Sequence, residues 1–307
     1  MALALRVGVT DVSFLRAWQD PESLDRVLLS ARASRVALGA VAGGSLALVG
    51  AAFQALLRNP LGDPYALGVS GGGALGATLA VLLGAGGVLV PLAAFVGAVG
   101  ATAVVLLTAR GLGRGGVQGL LLAGLVVNAF ANAALAFLRS AVSSAQAQGT
   151  LSILLGALSE EPAERVLQVT SLAGVGICVL GTLSKAMNLL VLGEDSASSL
   201  GVDVPRAERW IFLASSLVVA AVVSVCGLIP FVGLVVPHYA RAWTGPDHRT
   251  LLPACFLGGA TLLVLADLAT RMVFLWLHNE PPVGALTAML GAPFFLVVLR
   301  RLGDEAG

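Results

Sequence analysis

The chain has 307 residues, 57% of them hydrophobic and 11% charged, with a net charge of +1. Soluble domains carry about 25% charged residues, and a near-neutral chain offers no electrostatic footprint for nucleic acid, so a soluble globular domain and a nucleic-acid binder are both excluded. Apolar runs long enough to cross a bilayer as helices recur along the chain, where a β-barrel would show short alternating segments; the fold class is an all-α polytopic membrane protein.

Residues 1–35 form an N-terminal polar segment with five arginines and no apolar run of spanning length. Met1 to Val9 is too short to cross a membrane or to read as a signal peptide. The transmembrane domain then occupies residues 36–307. Nine spans are expected: Val36–Leu57, Tyr65–Leu83, Gly87–Ala109, Val117–Leu138, Val166–Leu183, Trp210–Gly227, Leu228–Trp243, Leu251–Leu277 and Val283–Leu299. Leu151–Leu158 is too brief to span and is placed at, or dipping into, the interface.

Between the first two spans lies Arg58-Asn59-Pro60-Leu61-Gly62-Asp63-Pro64. Pro60 and Pro64 donate no backbone hydrogen bond and push their preceding residues out of the helical region, so the arriving helix stops near Asn59. If this loop is cytoplasmic, Arg58, Arg110, Arg114, Lys185, Arg206, Arg209, Arg241, Arg249, Arg300 and Arg301 fall inside. Arg139, Arg165 and Arg271 fall outside, apart from the N-terminal segment. That bias places the carboxyl terminus in the cytoplasm and residues 1–35 outside.

Asn128 and Asn132 share one face of the fourth span, at i and i+4. Two readings stand open: interhelical hydrogen bonding, or a polar stripe along a pathway. Asp267 and Arg271, also at i and i+4, form either a helix-end ion pair or a functional charge. The stretch from Gly227 to His238 holds Pro230 and Pro237 within apolar sequence, and such a break survives only where protein or a water-filled cavity covers the freed backbone groups. His238, His248 and His278 have no metal-ligand spacing, and Cys178, Cys226 and Cys255 read as packing residues rather than a disulfide framework or zinc site. The pairs Gly39/Gly43 and Gly72/Gly76 have small-xxx-small spacing, a weak argument for any particular dimer in a chain with 38 glycines. No Lys-Ser or Lys-Thr follows the glycine-rich Gly68–Gly76, so it is not a nucleotide cradle. Energy for transport must therefore come from a partner or an ion gradient.

Four blocks resemble the permease subunits of type II ABC importers, the family that imports iron-siderophores, haem and cobalamin. They are Arg35–Gly73 with Gln54 and Asn59-Pro60-Leu61; Leu120–Gly124; Leu192–Val202; and Gly227–Gly291, which includes Pro237-His238, Asp247-His248-Arg249, Asp267, Arg271 and Glu280-Pro281-Pro282. The resemblance implies a homodimer with the pathway between its copies, two cytoplasmic ATPase subunits below and one periplasmic binding protein above, in the bacterial inner membrane. ATP and magnesium would sit on the ATPase, and no cofactor on this chain. It implies ATPase coupling through Ser196, Ala197, Leu200, Gly201 and Val202, with a short helix that Gly201 ends. It implies binding-protein docking by Arg32, Arg35 and Arg271, a pathway lined by Asn128 and Asn132, and a gate at Gly115-Gly116-Val117. The family usually has ten spans, with an extra helix before the part that matches Gly8–Arg35. Against this stand a gradient-driven transporter, for which Asp267 is the one candidate relay, and a membrane hydrolase, for which no nucleophile with a base is visible. Substrate is open among the three classes, with an iron complex preferred on family frequency alone.

Overall fold

The computed structural model describes residue 20 and residues 23–111, 117–140, 155–277 and 280–305. Among these, eleven α-helices and one 3-10 turn form, with no strand. Six helices are long and apolar enough to cross a membrane.

Helix α1 runs from Leu24 to Leu57 and starts well before the expected Val36. At 34 residues it is about 50 Å long. Every residue from Ala42 to Leu56 is buried. A helix apolar on all sides belongs in the middle of a bundle, and Ala163–Thr182, Val204–Cys226, Val232–Thr244 and His248–Leu277 pack around it. The early start was hidden by Arg26, Arg32 and Arg35, which read as polar surface; Arg32 and Arg35 are in fact buried.

After the loop, a 3-10 turn at Pro64–Leu67 leads into α2 (Val69–Leu82), which pairs closely with α3 (Leu89–Gly111). Gly72 and Gly76 meet Gly97 and Ala93 there, so this small-residue stripe serves a contact within the chain. The chain continues through α4 (Val117–Ser140), α5 (Ala163–Thr182), α6 (Ser184–Leu190), α7 (Glu194–Ser199) and α8 (Val204–Cys226). Then come α9 (Val232–Thr244), α10 (His248–Leu277) and α11 (Val283–Glu305). Helix α10 lies antiparallel to α1. A Cβ added at Gly43 would fall on the Gly259 carbonyl, and Gly44 faces Phe256. Phe53 of α1 meets Phe212 of α8 edge to face, ring centroids 6.3 Å apart.

The expected span Leu228–Trp243 is α9, only 13 residues long, so its reach of about 20 Å falls short of a hydrocarbon core of about 30 Å. It begins at a break. Helix α8 stops at Cys226, Gly227 takes φ +68°, and Phe231, also at φ +68°, opens α9. The non-helical backbone here is satisfied from two other breaks in the chain. Ala157 donates to the Cys226 carbonyl, Gly284 donates to the Gly156 carbonyl, and the Tyr65 hydroxyl accepts from the Ile229 amide at 3.2 Å. Ile229 and Val283 are almost wholly buried. The described part of Leu151–Leu158 is thus packed into the bundle, with Leu158 buried.

Candidate functional site: an interior cavity and the two ends of α1

A cavity of about 310 Å³ lies beside the break, with Asp63, Tyr65, Ser70, Asn128 and Asn132 set among apolar residues such as Leu135 and Leu228. Its shape follows from local chemistry. The Asp63 carboxylate accepts from the Tyr65 amide at 2.9 Å and caps the 3-10 turn. Gly68 then takes φ +82°, which aims α2 at α4. A side chain at Gly71 would strike the Asn128 carboxamide oxygen, so glycine there lets α2 approach that residue. Neither Asn128 nor Asn132 makes a hydrogen bond among the described residues, and Asn132 is exposed. Both residues line this cavity. Burial pushes the Asp63 carboxyl up to about 6, against the Tyr65 amide, which pulls it down.

Where α1 stops, Arg58 adopts the left-handed conformation, with φ 50°. The Asn59 side chain accepts from the Leu61 amide at 2.9 Å and rounds the turn. Arg58 and Phe231 are the two non-glycine residues with positive φ among those described; held strain of this kind gathers at functional sites. From its turn Arg58 reaches Glu194 at 2.6 Å and Glu208 at 3.5 Å, on α7 and α8. One turn back, Gln54 donates to the Gly233 carbonyl at 3.3 Å and accepts from the Arg241 guanidinium, which ties α1 to α9. A third link joins α6 to the head of α10: Asn188 donates to Asp247 at 2.6 Å and accepts from the His248 amide at 2.8 Å. The Arg249 amide and then the Asn188 carboxamide hold the Asp247 carboxyl below its ordinary range. Gln54, Arg58, Asn188, Arg241, Asp247 and His248 line a cavity of about 570 Å³ that also takes in Asn59, Pro60 and Leu192.

Helix α7 projects beside this cavity. Gly193 and Gly201 bracket it with φ of +108° and +86°, and the Val202 amide closes back on the Ala197 carbonyl at 3.0 Å. Ser196 carries the outward turn, Ala197 is fully buried, Val202 is half-buried, and Leu200 is 60% exposed. Of the apolar residues singled out in the sequence, Leu200 is the one presented outward.

At the opposite end of α1, Arg35 bonds Asp267 at 2.9 Å through Nε and pairs with Glu280, while Arg271 pairs with the other oxygen of Asp267. Asp267 is therefore shared between two guanidinium groups. Arg32, Arg35 and Arg271 are all buried, at 5%, 8% and 7% exposure. Of the expected gate, Val117 is buried at the start of α4; Gly115 and Gly116 lie outside the described residues, as does His278. Pro237 sits inside α9. Among the described residues no three His, Cys, Asp or Glu side chains gather as metal ligands.

Sequence reasoning missed the partners rather than the positions. Arg58, Glu194, Gln54 and Arg241 all fall in blocks already noticed, but their pairs are separated by 136 and 187 residues. No local pattern marks such pairs. Asp63 and Asn128 line one cavity from separate stretches of the chain, which no local pattern marks either.

Residues 1–301 match the FecCD transport family. The chain is 41% identical over 281 residues to the cobalamin import system permease protein BtuC of Halobacterium salinarum, covering 91% of this chain and 75% of that one. It is 37% identical over 313 residues to the hemin transport system permease protein HmuU of Yersinia pestis, with coverages of 98% and 92%. It is 33% identical over 319 residues to the Fe(3+) dicitrate transport system permease protein FecD of Escherichia coli, with coverages of 98% and 94%. A solved transporter described as being of the metal-chelate ABC type, in an inward-facing conformation, superposes with a TM-score of 0.84 at 30% identity, over 97% of this chain and 93% of that one.

Proposed function

Because the chain belongs to the FecCD transport family, the permeases of type II ABC importers, we propose that two copies of it form the membrane path of an ATP-driven importer. Each copy would take one ATPase subunit on the face where α1 ends, and the pair would take one substrate-binding protein on the opposite face. The face with Arg58, Lys185, Arg206, Arg209, Arg241 and Arg249 is then cytoplasmic, and so is the carboxyl terminus. ATP and its magnesium belong to the ATPase. The observation that carries this reading is the contact of Arg58 with Glu194. It joins α7, the projecting helix, to the end of α1, and Gln54 joins α1 to α9, whose preceding break lines the interior cavity. In this reading movement of α7 would reach the cavity walls by way of α1 and α9, where Asn128 and Asn132 would line the path and Gly115-Gly116-Val117 would gate it.

Native mass spectrometry of the protein purified from its own membrane in mild detergent tests this. Two permease chains with two ATPase subunits are expected. An intact chain that carries no ATPase, even with an ATP analogue present, sinks the reading.

For the substrate we propose an iron complex, a siderophore or haem, consistent with the relatives named for hemin and Fe(3+) dicitrate. A cobalamin is the second reading, favoured by the 41% identity to a cobalamin permease. Uptake of a labelled ferric siderophore, haem and cobalamin into proteoliposomes holding the full complex separates them. Binding-protein docking is proposed at the face nearest Arg32, Arg35 and Arg271. As Arg35 and Arg271 are already paired with Asp267, a docking glutamate would have to exchange with that carboxylate or with Glu280.

A further inference from the structure

The charge cluster around Arg35 contains two carboxylates of very different standing. Asp267, on α10, is 1% exposed, and its two oxygens are divided between Arg35 and Arg271. Glu280 lies just before α11, outside any helix, and its side chain is 38% exposed, yet it pairs with the same Arg35 guanidinium. These four groups carry two charges of each sign. A carboxylate brought from outside must therefore replace one of the two already there. Taking Asp267 away would strip two buried guanidinium groups at once. Taking the place of Glu280 exchanges one exposed carboxylate for another, at small cost.

Glu280 is also tied to the interior of the bundle. Pro281 and Pro282 follow it, and their rings fix φ, so the link from Glu280 to α11 has little freedom to absorb a displacement. Val283, the first residue of α11, is buried. The Gly284 amide donates to the Gly156 carbonyl at 3.0 Å, and a Cβ at Gly284 would fall on the carbonyls of Leu155 and Leu228. Gly284 and Ala285 line the interior cavity, together with Asp63 and Asn128. A short, stiff strap thus runs from the charge cluster to the cavity wall.

We propose that Glu280 is a displaceable latch: it holds on Arg35 the place that a docking carboxylate takes, and its release loosens the head of α11 at the cavity wall. The inference rests on docking at Arg35 as proposed above. With Glu280 on Arg35, the head of α11 is held on both sides of the proline pair. When a partner's carboxylate takes the guanidinium, Glu280 passes to water, and Val283 and the Gly284 hydrogen bond hold the head unaided. Docking on the outer face is in this way felt at the cavity without any change at Asp267, which keeps α1 and α10 together.

Glu280→Gln keeps the side chain's length and an acceptor for Arg35 while removing the charge. Amide hydrogen exchange of the full complex, read by mass spectrometry over residues 283–290, follows the head of α11 directly. The second reagent is the substrate-binding protein of the same cells, purified separately. Exchange is expected to be about fivefold faster in Glu280→Gln than in the wild type, the most that one exposed ion pair is worth. Adding the binding protein to the wild type should give the same rise, and adding it to Glu280→Gln should give no further one. The variant should also hold the binding protein about two- to fivefold more tightly. Unchanged exchange in the variant overturns the latch. So does a binding protein whose docking Arg35→Gln weakens but which leaves wild-type exchange unaltered; docking at Arg35 would then stand without the latch. Docking that Arg35→Gln leaves intact removes the docking site itself, and the displacement of Glu280 with it.

Discussion

Arg35, about three turns into α1, and Arg58, at its carboxyl end, each cross to another helix, and the two contacts are built in opposite ways. Arg35 meets Asp267, which is 1% exposed, and Asp267 is shared with Arg271. Arg58 meets Glu194, whose side chain is 53% exposed, from a left-handed turn in a proline-braced loop. Around Arg35 the helices are continuous: α1 and α10 run past each other in close glycine contact. Around Arg58 the elements are short, and they are joined through Gln54, Asn188 and Asp247, with the buried Glu208 only at 3.5 Å from the guanidinium. A buried charge network tolerates little displacement, because any separation leaves an uncompensated charge away from water. An exposed pair can separate and be hydrated at small cost. One end of the bundle is a fixed point and the other can yield.

The sharpest way to break this contrast is Asp267→Ala. Two buried guanidinium groups lose their shared carboxylate, and the folded state should lose about 3–5 kcal/mol, seen as a large drop in melting temperature in detergent. A drop under about 1 kcal/mol would mean that the cluster is solvated and the end is not fixed. Gln54→Ala should cost less, about 1–3 kcal/mol, since it leaves the Gly233 carbonyl and the Arg241 guanidinium without their partner. A neutral result by the same melt would show that α9 is held by packing alone.

The loop between the ends should give a smaller effect, confined to a window of pH. The Asp63 carboxyl sits at about 6 in the fold against an ordinary 3.8. Raised in the fold, it binds its proton more tightly there than in the unfolded chain, so stability falls as pH rises from about 4 to about 6 and is level above that. Asp63→Asn should flatten this slope while keeping the acceptor for the Tyr65 amide; an unchanged difference between pH 4 and pH 7 would show that the carboxyl is not buried in solution. The smallest effect on stability belongs to Glu194→Ala, about 0–1 kcal/mol, since Arg58 keeps the buried Glu208 as its partner. Its effect on ATP-driven uptake in proteoliposomes should be large. Unchanged uptake would remove the Arg58–Glu194 contact from the coupling path.

Hydropathy alone gave α3, α4 and α10 within a few residues, because each is a long apolar run between breakers. It failed at both ends of the contrast. Near the start of α1, Arg35 finds its partners, Asp267 and Glu280, 232 and 245 residues away, so a stretch buried by pairing read as a polar segment. At the other end Leu228–Trp243 read as one more span because its apolar content is high. Composition does not say that Phe231 turns left-handed and that a bare 13 residues remain helical. The candidate site was legible in its parts, Asn128 with Asn132 by spacing and Pro230 by its ring. Its assembly with Asp63 depends on three loops meeting, which no window of sequence contains.

That meeting of loops also bears on how the chain is made. The Gly156 carbonyl takes its hydrogen bond from Gly284, and Ala157 gives its own to Cys226. Backbone groups of this kind have no partner in lipid. A chain still on the ribosome at residue 280 would therefore have α1 to α10 synthesised with the interior unfinished: Cys226 and Ile229 find their partners in earlier sequence, but the Gly156 carbonyl is satisfied only as the head of α11 arrives. Insertion and folding are then separate events for this protein, with the last helix serving as the piece that lets the earlier ones set.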